Sequence, residues 1–412
     1  MIDKIKRVNS PQDTNIRLSF VVLLLFFLTG LKATAQDVKP VLVCYDSIEV
    51  GAQQFSEYLP LLINKKVAVL VNQASRVNNV YFVDTLLSLK VNLIKIFSPE
   101  HGFRGDKDAG EYFIDGKDAL SGLQVVSLYG KKKKPSAEDL KDVDILLIDL
   151  QDVGARFYTY ISTMSLAMEA CAERGVQVIV LDRPNPNGYF VDGPVLEKKF
   201  SSFVGMHPVP VVYGMTIGEY ARMVNGEGWL KDAVHCDLKV VKMSGYQHNM
   251  IVRLKQAPSP NLPDWKSVYL YPSLCFFEGT IISVGRGTDI PFQVYGYPEP
   301  NFGSFGFTPR SIPGKSKYPK WKGKWCYGKR LTGFAENYSK NKPEINLSWL
   351  ISAYHAVPDS VQFFNNYFEK LAGTDKLRKQ IEQGKSAQSI RASWKPEINR
   401  FLKIRKRYLL YE

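Results

Sequence analysis

Residues 144–182 read DILLIDLQDVGARFYTYISTMSLAMEACAERGVQVIVLD. Both ends, 144–150 and 176–182, are short runs rich in Ile, Leu and Val, the pattern of parallel strands covered on both faces. Between them, 159–175 has helical periodicity and stops at Gly175, a residue suited to a left-handed C-cap. Working outward, the alternation continues. KVAVLVN (66–72), VNLIKIF (91–97) and QVVSLY (124–129) are further strand candidates. Helical patterns fall at 80–90 and 136–143, the latter opened by Ser136 and Asp139 in a capping-box arrangement. A last unit runs from VPVVYG (209–214) through MTIGEYARMVNGEG to LKVVKM (238–243). The reading is an α/β fold, a Rossmann-like doubly wound parallel sheet.

Beyond about residue 245 the alternation stops. Residues 256–330 are dense in Pro, Gly and aromatics, and helical patterns return at 347–357 and from Phe368 onward, ending in IRKRYLLY, which reads as one face of a packed helix. This predicts a Rossmann-like domain over 36–250 and a smaller α+β domain over 251–412. The run Lys131–Lys134 reads as a solvated loop.

The first residues read as a targeting segment rather than part of the fold. Lys4, Lys6, Arg7 and Arg17 precede the apolar run from Ser19 to Leu31, and Ala33-Thr34-Ala35 follows. That order predicts a secretory signal peptide over 1–35, cleaved after Ala35, with an apolar core too short for a membrane span. The expected location is secreted or periplasmic, without a stable membrane anchor. The 412 residues carry a net charge of +14, and removing five basic and two acidic groups with the leader leaves +11. A basic exported protein calls for an anionic neighbour, and charge alone does not choose among membrane surface, wall polymer and nucleic acid. The cysteines, Cys44, Cys171, Cys236, Cys275 and Cys326, are odd in number and form no C-x-x-C pair, so buried free thiols are expected.

Open parallel sheets hold ligands at the carboxyl ends of their strands. The strand exits here read QASR after 72, SPEHGFRGDKDAGE from 98, QDVGARFYTYIST from 151 and RPNPNGYFVDGPVLE from 183. They gather Glu100, His101, Arg104, Asp106, Glu111, Asp149, Gln151, Asp152, Arg156, Tyr158, Tyr160, Asp182, Arg183, Asn185, Asn187 and Asp192 on one rim. Carboxylates among arginines and tyrosines suit glycoside chemistry, in which one carboxyl group protonates the leaving oxygen and a second acts as base or nucleophile. Glu100, just past a strand end beside His101 and Gly102, is the leading acid candidate. Asp149 and Asp182 suit capping of the following turns equally well. Competing chemistries lack their motifs: no G-x-G-x-x-G follows a strand, no P-loop or G-x-S-x-G is present, and the five histidines never take a metal-ligand spacing.

Five longer stretches, FSPEHGFRGDKDAGE, DLQDVGARFYTYIST, VLDRPNPNG followed by VDGP, VPVVYGMTIGEYARMVNGE and FFEGTIISVGRGTDIPF, resemble the successive motifs of the NamZ-type exo-β-N-acetylmuramidases. The C-terminal LAGTDKLRKQIEQGKSAQSIRASWKPEINRFLKIRKRYLLY is similar to that family's ending. The resemblance implies a glycoside hydrolase, without cofactor or metal, that removes N-acetylmuramic acid from non-reducing ends of peptidoglycan glycan chains. Its partners would be those chains or a muramic acid-containing disaccharide, and not nucleic acid. It implies a Rossmann-like domain and an auxiliary domain with the active site between them, Glu100 as general acid, and Glu278, Gly279, Thr280, Arg286, Gly287 and Thr288 facing the same cleft. The second carboxylate is expected from Asp149, Asp152, Asp182 or Glu278. Substrate contacts are expected from His101, Arg104, Gln151, Asp152, Arg156, Tyr158, Tyr160, Asn185, Arg286 and Thr288, with Arg104, Arg156 or Arg286 on the lactyl carboxylate. Asp289-Ile290 departs from the family's pattern after Thr288. A glycosidase of different sugar specificity and a non-catalytic wall-glycan binding protein are the alternatives.

Overall fold

The central sheet of the computed structural model, which describes residues 40–104 and 116–412, contains seven strands among those residues. They are β1 (Val67–Val71), β2 (Leu93–Ser98), β3 (Gly116–Lys117), β4 (Gln124–Ser127), β5 (Ile145–Asp149), β6 (Gln177–Leu181) and β7 (Leu238–Val241), in spatial order β7-β6-β5-β1-β2-β4-β3. All neighbours pair parallel except β3 with β4. From β1 the chain steps outward through β2 and β4, then returns to the other side of β1 for β5, β6 and β7. That reversal opens a crevice at the carboxyl ends of the central strands.

Alternation within the strands explains why the apolar runs are continuous. Ala68, Leu70, Leu146, Ile148, Val178 and Val180 point into one core, while Val67, Val69, Ile145, Leu147, Ile179 and Leu181 point into another on the opposite face. Successive side chains of a strand face opposite ways, so a strand buried on both sides has no polar position to spare. Helix α1 (Phe82–Ser88) covers the second face, and α2 (Tyr160–Arg174) and α3 (Ile217–Gly226) cover the first. The left-handed Gly175 (φ 67°) terminates α2, as its sequence predicts. Thr216 caps α3, accepting from the Glu219 amide, while Glu219 accepts from Thr216 N.

The first core does not end with the sheet. It runs on through Leu262, Phe276, Phe368 and Trp394 into the C-terminal part, where α4 (Trp265–Leu274), the helix Leu347–Ala356 and α5 (Ala387–Arg405) pack beside a three-stranded antiparallel sheet centred on Cys326–Arg330.

Three sequence expectations change. Residues 136–143 form turns rather than a helix: Ser136 and Asp139 exchange the hydrogen bonds of a capping box, but Asp142 adopts φ 63° and ends the segment. The run 209–214 makes isolated bridges from Val212 to Ala155 and Asp192 instead of a strand. The C-terminal tail leaves its helix at Arg405, and its last residues pack as non-helical chain against the end of β6 and the start of α3. The predicted leader, and Asp106 and Glu111, lie outside the described residues. Among the described residues, no helix is long and apolar enough to cross a membrane.

Candidate active site

Glu100 stands one residue beyond Pro99 at the exit of β2. His101 and Gly102 follow in left-handed conformations (φ 75° and 74°), which turn the chain sharply away from the sheet. Such backbone suits glycine and costs about 1–3 kcal/mol at a residue such as histidine, strain typical of functional turns. Thr159, at the start of α2, donates from Oγ1 to Glu100 Oε2 at 3.2 Å, and the Tyr160 hydroxyl donates to the Glu100 carbonyl at 3.3 Å. The carboxylate is thus held by the neighbouring strand exit.

Glu100 lines a cavity of about 620 Å³, within the usual size of a small-molecule site. His101, Tyr158, Thr159 and Tyr160 share its wall; Tyr271, Glu278, Arg286 and Phe292 come from the C-terminal part. Glu278 lies in the short 3-10 helix Cys275–Gly279. Gly279 there is a spatial necessity, because a Cβ would sit 2.4 Å from Phe368 Cα. Arg286 grips Glu278 with two hydrogen bonds, Nε to Oε1 at 2.6 Å and Nη2 to Oε2 at 3.1 Å, and its guanidinium carbon lies 5.1 Å from the Phe292 ring centre. Burial opposes the Arg286 charge, but the adjoining carboxylate outweighs it and raises the pKa. Lys320 Nζ donates to the carbonyls of Phe277 (2.9 Å), Glu278 (3.1 Å) and Thr280 (2.5 Å), so one ammonium braces the turn that carries Glu278 against the residue that follows it. Burial draws that ammonium down to about 8, against the pull of Glu278.

Among the described residues, the carboxylates lining the cavity are Glu100 and Glu278. Tyr367, also in the wall, lies in the field of both: burial first, then Cys275, Glu278 and Glu100, raise its phenol pKa, which leaves it a hydrogen-bond donor at neutral pH.

The remaining residues of the sequence-derived rim go elsewhere, each drawn off by a nearer partner. Asp149 is fully buried against Arg183, at 2.5 and 2.8 Å; burial raises its pKa and Arg183 opposes the shift. Gln151 donates to Asp152 O and Pro184 O and faces a separate hollow of about 200 Å³ beside Tyr45 and Arg183. Asp152 accepts from Gly154 N and the Tyr213 hydroxyl. Asn185 bridges Met215 O and Asn187 N. Arg104 pairs with Asp118 at 2.8 and 2.9 Å and with Asp84 at 3.3 Å, so it is not available in the cavity for a lactyl carboxylate. Arg156 is buried among carbonyl oxygens, and Thr288 donates to Gly285 O at 2.6 Å to close its own loop.

Asp182 is as completely buried as Asp149. It accepts from the Thr216 hydroxyl (2.6 Å), Gly218 N (2.8 Å) and the Tyr411 hydroxyl (2.7 Å), so the chain's last residues close over the end of β6. Burial raises its pKa to about 7 and that of Asp152 to about 6. Both folded-state values exceed the unfolded value near 3.9. Between about pH 4 and 7 the folded chain therefore binds protons that the unfolded chain has released, and stability falls as pH rises through that window. Below it, Asp118, which its hydrogen bonds to Arg104 hold under the ordinary range, loses its contribution. The thermal midpoint is expected to peak near pH 4 and drop by several degrees toward pH 8. Asp182→Asn should remove most of that drop; an unchanged pH slope in differential scanning calorimetry refutes the assignment.

The cavity also holds residues that strand-exit reasoning passes over. Lys133 belongs to the run read as solvated. Lys134 from that run does pair with Glu169 and Glu173, but Lys133 lines the cavity with its Nζ 4.7 Å from the Phe203 ring centre. Tyr129, just past β4, was within reach of the strand-exit rule. Tyr318, Tyr367 and Lys370 lie in the C-terminal part, where no local pattern singles them out.

Comparison with known proteins places the chain among relatives along most of its length. Residues 67–266 match the family model described as exo-β-N-acetylmuramidase NamZ, N-terminal, and residues 269–411 match its C-terminal counterpart. The chain is 39% identical over 381 residues to the peptidoglycan β-N-acetylmuramidase NamZ of Bacillus subtilis (strain 168), covering 86% of this chain and 89% of that one. Two crystal structures of DUF1343 family proteins from Bacteroides fragilis NCTC 9343 share the fold. One has a TM-score of 0.82 at 47% identity and the other 0.75 at 30%, each spanning 89% of this chain and 99% of its own. With both family models in order along one chain, the protein belongs to the NamZ family of exo-β-N-acetylmuramidases.

Proposed function

We propose that the 620 Å³ cavity is where this glycoside hydrolase cleaves the β-1,4 bond of a terminal N-acetylmuramic acid, at the non-reducing end of a peptidoglycan glycan chain. Glu100 is the general acid that protonates the leaving oxygen, and Glu278 is the second carboxylate. The observation carrying this reading is that two carboxylates from different halves of the chain meet in one cavity, each positioned by a dedicated partner, Thr159 for Glu100 and Arg286 for Glu278. Paired carboxyl groups flanking a sugar-sized space are what glycoside hydrolysis requires. Tyr158 and Tyr160, 4.7 Å apart and edge to face, line the cavity's inner wall. We place the mature chain outside the cytoplasmic membrane, secreted or periplasmic after cleavage near Ala35, where this substrate is found.

The test is to incubate the purified protein with denuded glycan chains and with a chromogenic muramic acid glycoside, and to identify products by mass spectrometry. Free N-acetylmuramic acid is expected from chain ends. Binding without release, or release of a different sugar, overturns the reading.

A further inference from the structure

We infer that Tyr318, flanked by Lys317 and Lys322, forms a subsite for the leaving part of the glycan, with the lysines reading the carboxylate of the sugar two beyond the cut bond. This rests on the exo-muramidase reading of the cavity. It starts from the segment 315–330, KSKYPKWKGKWCYGKR, which holds seven cations and no acid. Two of its residues turn inward and anchor it: Lys320 braces the turn carrying Glu278, and Trp321 Nε1 donates to Ile281 O at 2.6 Å. Tyr318 is held differently. Its side chain is 79% exposed, yet it lines the cavity together with Lys317. The ammonium groups of Lys317 and Lys322 lie 5.7 and 5.9 Å from its ring centre, and neither lysine forms an ion pair among the described residues.

An aromatic ring left in water at the mouth of a sugar site is apolar surface for a partner to cover. An exo-acting enzyme places the terminal sugar against Glu100 on the inner wall, so an exposed lip can meet only the remainder of the chain. In glycan freed of its stem peptides the lactyl carboxylate recurs on every second sugar. The sugar immediately after the cut is neutral and suits the Tyr318 face; the next carries the anion and suits two flexible ammonium groups, which reach as point charges rather than as a fixed fork. The site would therefore favour chains over a disaccharide, and the preference would weaken with salt, because exposed charges are screened.

The experiment compares kcat/KM for the muramic acid-glucosamine disaccharide and the corresponding tetrasaccharide. It uses the wild-type protein at low and high salt, the Lys317→Gln/Lys322→Gln double variant, and Tyr318→Ala. The wild type should prefer the tetrasaccharide. That preference should fall about fivefold in the lysine variant, in line with the worth of exposed ion pairs, and similarly in the wild type at high salt. Tyr318→Ala should lower kcat/KM for both substrates, mainly through KM. A wild-type protein indifferent to length, or a lysine variant that keeps the full preference, overturns the subsite. Failure of the wild type to cleave the disaccharide at all is a separate result, counting against the exo-muramidase reading.

Discussion

Glu100→Gln is expected to lower kcat on glycan chains by about 10²–10⁴-fold, the range general acid catalysis supplies, while KM and the thermal midpoint stay near the wild-type values. Glutamine keeps the shape of the side chain and an oxygen that accepts from Thr159 Oγ1, so the hydrogen bond now 3.2 Å long and the strained turn at His101 have no reason to change. What it loses is the proton. That loss has a signature beyond the drop in rate. A chromogenic phenol leaves with little help, whereas the sugar hydroxyl of the natural chain needs a proton as the bond breaks. The variant should therefore retain far more activity on the chromogenic glycoside than on the chain. If both substrates suffer equally, Glu100 acts elsewhere in the reaction, for instance as the nucleophile. A kcat on chains within about tenfold of wild type removes it from the acid role.

How far the sequence discloses the molecule depends on the range of the interactions involved. The sheet is readable because continuous apolar runs such as Val67–Val71 and Ile145–Asp149 answer to two cores at once, and few other arrangements tolerate that pattern. Helix α2 is readable because its end is marked locally by Gly175. The capping pair Ser136 and Asp139 misleads for a related reason: it forms as expected, but the segment beyond it does not continue as a helix. At the site, Glu100 is found because strand exits hold ligands and because the adjacent glycine permits a sharp turn. The same rule brings in Asp149, Asp152 and Asp182, and nothing local separates them. Their fates are set by partners distant in sequence: Arg183 for Asp149, Tyr213 for Asp152, Thr216 and Tyr411 for Asp182. Glu278 and Arg286, only eight residues apart, are identifiable through the family resemblance rather than through any strand-exit logic. Tyr318, Tyr367 and Lys133 reach the cavity by tertiary packing that a one-dimensional pattern does not carry.

Arg156→Met is expected to destabilise the fold by about 4 kcal/mol, because orphaned buried acceptors cost roughly 1–3 kcal/mol each and their sum is softened by relaxation and water entry. The side chain is completely buried. Its Nη1 donates to Pro194 O (2.8 Å) and Val209 O (2.7 Å), and its Nη2 donates to Leu371 O (3.0 Å) and Ala372 O (2.7 Å). Burial pulls the guanidinium pKa down to about 9, and the four carbonyl dipoles are what make an enclosed cation tolerable. The packing is tight: at Gly373, where φ is +72°, a Cβ would come 2.6 Å from Nη2, so glycine is required there by both backbone and space. The consequence for function is indirect. Leu371 and Ala372 end the short helix Phe368–Ala372, which carries Lys370 and follows Tyr367, both on the cavity wall. Arg156 thus ties that wall to the loop and bridge segment around Pro194 and Val209, and does not bind a substrate carboxylate. The two roles separate in one pair of measurements. A staple predicts a large fall in thermal midpoint, with KM close to wild type at temperatures where the variant remains folded, and partial rescue by lysine, which keeps the charge but has fewer directed donors. A substrate clamp predicts the reverse, an unchanged midpoint and a raised KM, and that outcome would return Arg156 to the binding site.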